Sequence, residues 1–214
     1  AAAFSRTNIT QKIIIRTHTE RRSRLESCDI DVTETPFGGL IDFATKPIIK
    51  RQINYFKPEI VLAWMSRAAR YCPAGDHTLV ARLGGYYNLK YYRHCDHLIG
   101  NTADIRQYLI DEGWPENRAW YIPNFVDCER KSAICRNHLE TPMDAPLLLA
   151  LGRLHENKAF DVLIAALSDV PDAFLWIAGD GPLEQLLRKQ AIQSGVDGRV
   201  RFLGWRQNIG ALLA

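Results

Sequence analysis

Nine short apolar runs recur along the 214 residues: KIIIR, DIDVTETPF, EIVLAWM, TLVARL, DHLIGN, RAWYIPN, PLLLALG, AFLWIAG and RVRFLG. Between several of them lie segments such as TADIRQYLIDEG and PLEQLLRKQAIQSG, with apolar residues at helical spacing. Strands buried on both faces and separated by helices imply parallel sheets with crossover connections, an α/β architecture. Thr102 is placed to N-cap one helix, with Gly113 as its stop; Pro182 opens another and Gly195 ends it.

The stretch 127–146, DCERKSAICRNHLETPMDAP, breaks the alternation. It has no sustained period, several charges and two prolines, and reads as a linker between two α/β units. The boundary is drawn after His138. Residues 1–138 then form the first domain plus linker, and residues 139–214 the second, whose first strand begins near Ala145. A 47% hydrophobic content is enough to give both units a core.

No apolar run approaches the eighteen or so residues that span a bilayer, and no charged-then-apolar leader opens the chain, so a cytoplasmic site of action is expected. The chain opens at AAAFSRTN without an initiating methionine and stops at NIGALLA within a helical pattern, so a piece of a longer protein is expected. The five cysteines (Cys28, Cys72, Cys95, Cys128, Cys135) contain no CxxC pair and read as free, mostly buried thiols. Cys135 and His138 make at most half a zinc site, so no metal is expected. The net charge of +3 is uneven: ten Lys/Arg face six Asp/Glu in residues 1–58, but seven face nine in residues 139–214. The basic segments lack the interleaved aromatics that stack on bases, so nucleic acid is not an expected partner.

Open parallel sheets bind ligands beyond the carboxyl ends of their strands. In LLLALGRLHENKAFDVLIAAL the strand ends at Gly152, Arg153 follows directly, and Lys158 falls where the next helix should start. A cation there opposes the helix macrodipole unless an anion shares the site. Two cations with backbone donors suit a diphosphate, neutralised without a metal. A solvated strand-to-helix loop is the alternative. At the next strand end, AFLWIAGDGPLEQLL sets Gly179, Asp180 and Gly181 before Pro182, where two glycines permit a tight turn and close approach to a ligand. Neither GxGxxG nor GxxxxGK[ST] occurs, which argues against a nicotinamide dehydrogenase.

The string from Leu147 to Ala214 resembles the donor-binding domain of a family 4 glycosyltransferase of the GT-B fold. Its landmarks stand in order: a GR…K loop, the GDGP turn and the VRFLG strand. Upstream, DHLIGNTADIRQYLIDEGWPENRAWYIPNFVD resembles the end of that family's N-terminal domain. The resemblance implies two Rossmann-like parallel-sheet domains, the second incomplete. It further implies transfer of a sugar from a nucleotide-diphosphate donor to a glycan or lipid-linked acceptor. Retention of configuration and no metal or cofactor go with it, as does a place in cell-envelope polysaccharide or lipopolysaccharide synthesis. Arg153 and Lys158 would bind the diphosphate and stabilise the departing nucleoside diphosphate. Gly152, Gly179, Asp180 and Gly181 would lie at the donor pocket, with Trp205 and Arg206 bordering the base; the alternatives are a Trp205 that caps the core and an Arg206 that is a solvated turn residue. A glycine-rich loop would precede Ala1 and a pair of glutamates would follow Ala214, so this stretch alone is expected to lack activity.

Three positions depart from the pattern. Ala159 follows Lys158 where the family has glycine, which a methyl group tolerates if the backbone there is already helical. Phe125 replaces the glycine of the IPNGVD signature and must avoid positive φ or accept strain. Trp64, Met65 and Ser66 stand where a histidine is common.

On the acceptor side, ARLGGYYNLKYY places Gly84, Gly85, Tyr86 and Asn88 beyond a strand end, where aromatic faces with hydroxyl tips suit sugar rings; a tyrosine-rich segment packed on its own sheet is the alternative. Gly38 and Gly39 form a turn or a cleft loop. Lys46, Lys50, Arg51 and Lys57 surround Ile48, Ile49, Ile53 and Phe56 in KPIIKRQINYFK. This segment either rests peripherally on the anionic inner face of a membrane or turns its apolar side to the core. Two rival functions stay open: a nucleotide-sugar epimerase or hydrolase, for which His94 and His155 lack an evident carboxylate partner, and a non-catalytic sugar-nucleotide-binding module.

Overall fold

The computed structural model describes residues 1–39, 41–125 and 131–214. All nine apolar runs form strands, and every strand pairing is parallel. Two compact units result, Ala1–Phe125 and Val126–Ala214.

In the first unit β1 (Lys12–Arg16) pairs with β2 (Asp31–Thr35) across α1 (Thr19–Glu26). A four-stranded sheet runs in the order β3 (Ile60–Trp64), β4 (Thr78–Leu83), β5 (His97–Gly100), β6 (Ala119–Tyr121). One face buries Ala63, Leu79, Ala81, Leu83 and Leu98 against α2 (Thr45–Phe56), α3 (Met65–Tyr71) and α4 (Ala103–Asp111). The caps of α4 are those expected: Thr102 Oγ1 accepts from the Ile105 amide at 3.1 Å, and Gly113 turns with φ +86° just beyond the helix.

Burial on both faces, expected of every strand, fails at the two edge strands of this sheet, β6, where Trp120 and Tyr121 are exposed, and β3. Residues alternate across a strand, and α2, α3 and α4 all pack on the side of Ala63. Ile60, Leu62 and Trp64 point the other way and are 64%, 41% and 58% exposed.

In the second unit β7 (Leu147–Leu151), β8 (Phe174–Ala178) and β9 (Val200–Gly204) form a three-stranded sheet with β8 central. Here the central strand is covered on both faces, while Leu148 and Leu151 of the edge strand β7 are 41% and 40% exposed. Leu175, Ile177 and Val200 pack against α5 (Phe160–Ala166) and α6 (Glu184–Gln193). Trp176 and Ala178 pack on the opposite face with Ile134, Leu139 and Leu212 of α7 (Ile209–Leu213), and the Trp176 indole donates to Thr141 Oγ1 at 2.9 Å.

That packing settles where residues 131–138 go. Drawn into the linker of the first domain by their irregular sequence, they lie on the second unit's sheet, and the Ile134 amide donates to the Ala211 carbonyl at 2.9 Å. Ile134 supplies apolar cover that the second face of this sheet needs, which a search for periodicity does not detect. The start of the linker, 127–130, and with it Cys128, lies outside the described residues.

Among the described residues no helix is long and apolar enough to cross a membrane. Cys28, Cys72, Cys95 and Cys135 are free thiols; burial pushes Cys72 up to about 11 and Cys95 up to about 12.

Candidate functional site

Beyond the carboxyl ends of β7, β8 and β9, three loops are joined backbone to backbone. The Gly152 amide donates to the Ala178 carbonyl at 3.0 Å, the Leu154 amide to the Asp180 carbonyl at 2.7 Å, and the Gly179 amide to the Gly204 carbonyl at 2.8 Å. The approach is so close that a Cβ on Gly179 would lie 1.9 Å from the Gly152 oxygen, and one on Gly181 would lie 2.3 Å from the Leu154 oxygen. The glycines of GDGP are therefore required by the neighbouring loop. Asp180 contributes its carbonyl to this lock and leaves its side chain exposed.

Arg153 and Lys158 sit on this shelf. Lys158 runs its aliphatic chain past Gly152, with Cδ and Cε 3.8 Å from where a Cβ would stand there. Both side chains are exposed, and neither has a hydrogen-bond or ion-pair partner among the described residues. Lys158 does not open α5, as its position in the sequence suggests. It closes the 3-10 turn Glu156–Lys158, and α5 starts two residues later at Phe160. Between them Ala159 is left-handed, φ +50° and ψ +37°. The expectation of a helical backbone at this alanine is thus corrected: the position suits glycine, and a methyl group there costs about 1 kcal/mol.

Trp205 follows Gly204, which turns with φ +64°; its ring is exposed rather than closing the core, and Arg206 Nε donates to Asn208 Oδ1 at 3.0 Å. His155 accepts from the Asn157 amide at 3.5 Å as cap of the 3-10 turn. Among the described residues no group of three or more His, Cys, Asp or Glu is placed to hold a metal ion, Cys135 and His138 included.

In the first unit the ends of β3, β4 and β5 converge. A Cβ on Gly84 would meet Asn101 Nδ2 at 3.4 Å and Met65 Sδ at 3.8 Å. Gly85 lies against the Tyr87 ring. The Tyr86 hydroxyl donates to Asp104 Oδ2, which raises the phenol's pKa, and its ring meets Tyr108 edge-on with centroids 5.2 Å apart. Asn88 is spent as a cap, its carbonyl accepting from the Lys90 amide at 3.0 Å. His94 Nε2 is 2.9 Å from the Ala69 carbonyl oxygen. Two residues here were not singled out from the sequence as site residues. Met65 holds φ +69°, in the left-handed region, and Asn101 Oδ1 is buried with no hydrogen-bond partner among the described residues. Neither signal is visible in residue types, because both are properties of how three strand ends meet.

Gly38 and Gly39 form a tied turn: Asp42 Oδ2 accepts from the Gly38 amide at 2.7 Å, and the Tyr71 hydroxyl lies 3.2 Å and 3.0 Å from the two glycine carbonyls. Phe125 avoids positive φ, as required, and is fully presented to solvent.

Residues 145–214, which contain the three locked loops, match the family described as "Glycosyl transferases group 1". Over these residues the chain is similar to the group 1 glycosyl transferases. Over 216 aligned residues the chain is 34% identical to the lipopolysaccharide core biosynthesis glycosyltransferase LpsE of Rhizobium meliloti (strain 1021), covering 99% of this chain and 63% of that protein. It is 31% identical to LpsD of the same organism, covering 99% and 62%. The chain thus spans a little under two thirds of the length of these curated relatives. Among solved structures it is similar to Anabaena Alr3699/HepE crystallised with UDP-glucose, with a TM-score of 0.76 at 18% identity, over 94% of this chain and 63% of that one. The fold of the chain is accordingly α/β with Rossmann-like parallel sheets of the GT-B kind.

Proposed function

We propose that the protein transfers a sugar from a nucleotide-diphosphate donor to a glycan or lipid-linked acceptor in lipopolysaccharide or related cell-envelope synthesis, with retention of configuration. The observation that carries the reading is the pair Arg153 and Lys158. They are two cations without partners among the described residues, held at the end of β7 on a shelf that packs backbone to backbone at Gly179 and Gly181. An unpaired cation pair gains most from an anion that it alone neutralises.

As the bond from the anomeric carbon to the diphosphate breaks, negative charge grows on the departing phosphoryl oxygens. Arg153 and Lys158 stabilise that charge in place of a metal ion, and the backbone hydrogen bonds between the three loops hold them in position for it. Trp205, exposed beside the turn at Gly204, offers a flat face to the base, and Arg206 stands next to it. The acceptor lies at the Gly84, Gly85, Tyr86 edge, and the protein acts on the cytoplasmic side. The lipopolysaccharide relatives and the UDP-glucose bound by Alr3699/HepE support the donor class. His94 and His155, the histidines that an epimerase or hydrolase would use, are engaged with backbone groups.

The test is calorimetric titration with UDP, with and without added divalent metal. Arg153→Ala and Lys158→Ala are each expected to weaken binding by at least about tenfold, in line with the loss of one charge-assisted contact. Unchanged affinity in the double variant removes the assignment. UDP binding that requires metal removes the metal-free part of it.

A further inference from the structure

At the outer edge of the first unit's four-stranded sheet lies a concavity of about 610 Å³, lined by Arg106, Glu116, Asn117, Ala119, Trp120 and Tyr121. β6 pairs with β5 alone, yet its open side is not free to take a further strand. Arg106 Nε already donates to the Ala119 carbonyl at 2.9 Å, and the Trp114 indole donates to the Arg118 carbonyl at 3.2 Å. A sheet edge closed in this way does not recruit a second chain.

The rings and polar groups around the concavity suit another kind of ligand. Trp120 is 51% exposed but not loose: its Nε1 donates to His97 Nδ1 at 3.1 Å, and the two ring centroids lie 6.0 Å apart. An indole fixed by its polar end presents an apolar face to solvent. Arg106 Nη2 donates to Glu116 Oε1 at 3.2 Å, so the one cation and the one carboxylate of the lining cancel. The Asn117 side chain is exposed, and neither its amide nor the Tyr121 hydroxyl has a hydrogen-bond partner among the described residues.

We infer that this concavity binds a neutral pyranose ring of a glycan. The C–H face of the sugar stacks on Trp120, and its hydroxyls bond to Asn117, to Glu116 Oε2 and to the guanidinium N–H groups that Arg106 has left over. The chemistry of the lining chooses this occupant. An anion would find Arg106 already neutralised, and a wholly apolar group would strip water from Asn117 and Glu116 without replacing its hydrogen bonds. The strand order β4, β5, β6 puts this edge two strand spacings, roughly 10 Å, from the edge at Gly84. A glycan of a few rings spans both, so the concavity holds a ring of the acceptor other than the one that reacts. The inference rests on the proposed function for its choice of a glycan.

The experiment is nuclear magnetic resonance titration of the isotope-labelled full chain with delipidated, dephosphorylated core oligosaccharide from lipopolysaccharide, at about 50 mM and about 0.5 M salt. The Trp120 indole signal, identified by its loss in Trp120→Phe, is expected to shift with a Kd of about 1 mM at either salt. Trp120→Ala and Asn117→Ala, read from the backbone signals of residues 116–121, should each bind about tenfold more weakly. Trp120→Phe keeps an aromatic face and should stay within a few fold of the wild type. Thermal melting checks that each variant is folded; should Trp120→Ala melt early, Asn117→Ala decides. Absence of a shift, unchanged affinity in the folded variants, loss of binding at high salt, or an equal shift with inorganic phosphate overturns the inference. UDP separates this site from the donor site, since it is expected to bind and leave the Trp120 signal in place. A Trp120 shift driven by UDP makes the ring a platform for a base and overturns the inference. Oligosaccharide binding without any UDP binding supports the inference and overturns the donor-site reading alone.

Discussion

The four-stranded sheet of the first unit and the three-stranded sheet of the second were built from the same kind of apolar run, yet they are finished differently. The three-stranded sheet of the second unit is covered on both faces of its central strand β8, with only Leu148 and Leu151 of the edge strand β7 left exposed among its described strand leucines, and its loops are locked by backbone contacts at Gly179 and Gly181. The four-stranded sheet of the first unit is covered on one face, with Ile60, Leu62 and Trp64 exposed on the other, and its strand ends meet through side chains: Met65, Asn101, Tyr86 with Asp104. A site held by backbone leaves its charged side chains free for a ligand. A site held by side chains spends many of them on each other.

This contrast can be broken most directly with the two tryptophans. Trp176 is completely buried and hydrogen-bonded to Thr141, so Trp176→Ala should cost about 3–5 kcal/mol in urea denaturation. Trp64→Ala, on the exposed face, should cost well under about 1 kcal/mol beyond its contact with the Arg82 guanidinium. Equal costs would show that the face of β3 is covered in solution.

The glycine lock gives the next largest effect. Gly179→Ala must push the Gly152 carbonyl aside, and a loss of about 3 kcal/mol is expected, together with weaker UDP binding, because the shelf under Arg153 moves. Gly39→Ala, where a Cβ meets nothing within 4 Å, is the control and should be near neutral.

Both units hold a strained residue beside their strand ends, Ala159 at φ +50° and Met65 at φ +69°. Ala159→Gly and Met65→Gly should each raise stability by up to about 1 kcal/mol, since glycine adopts these angles freely. If Met65→Gly destabilises instead, the thioether contributes more through its packing over Gly84 than the backbone loses in strain.

The smallest effect is on pH dependence. Hydrogen bonds from the Thr45 hydroxyl and from the amides of Thr45, Gly38 and Ala44 hold Asp42 down from the ordinary 3.8 to about 2. A carboxylate depressed in the folded state stabilises it above the unfolded pKa, and that contribution fades as pH falls from about 4 through about 2. Thermal melting across this window should show a steeper loss for the wild type than for Asp42→Asn. Identical slopes would mean that the turn before α2 is not formed in solution.

The strand runs, the cap at Thr102, the stop at Gly113 and the tight turn at GDGP were all legible in the sequence, because each is written in residues a few positions apart. Spacing also singled out Arg153 and Lys158 as the residues beyond the end of β7. Their lack of partners among the described residues could not be read there, since it depends on which carboxylates other loops bring near. The same holds for the left-handed angle at Ala159, the orphaned carbonyl of Asn101, and the attachment of Ile134 to the second unit's sheet. By itself the sequence determined the period of every element, and with it the parallel α/β class, because periodicity is a local property of the chain. Tertiary structure alone decided which faces stayed bare and which charges stayed unpaired, because burial and pairing are fixed by residues distant in sequence that arrive at the same place.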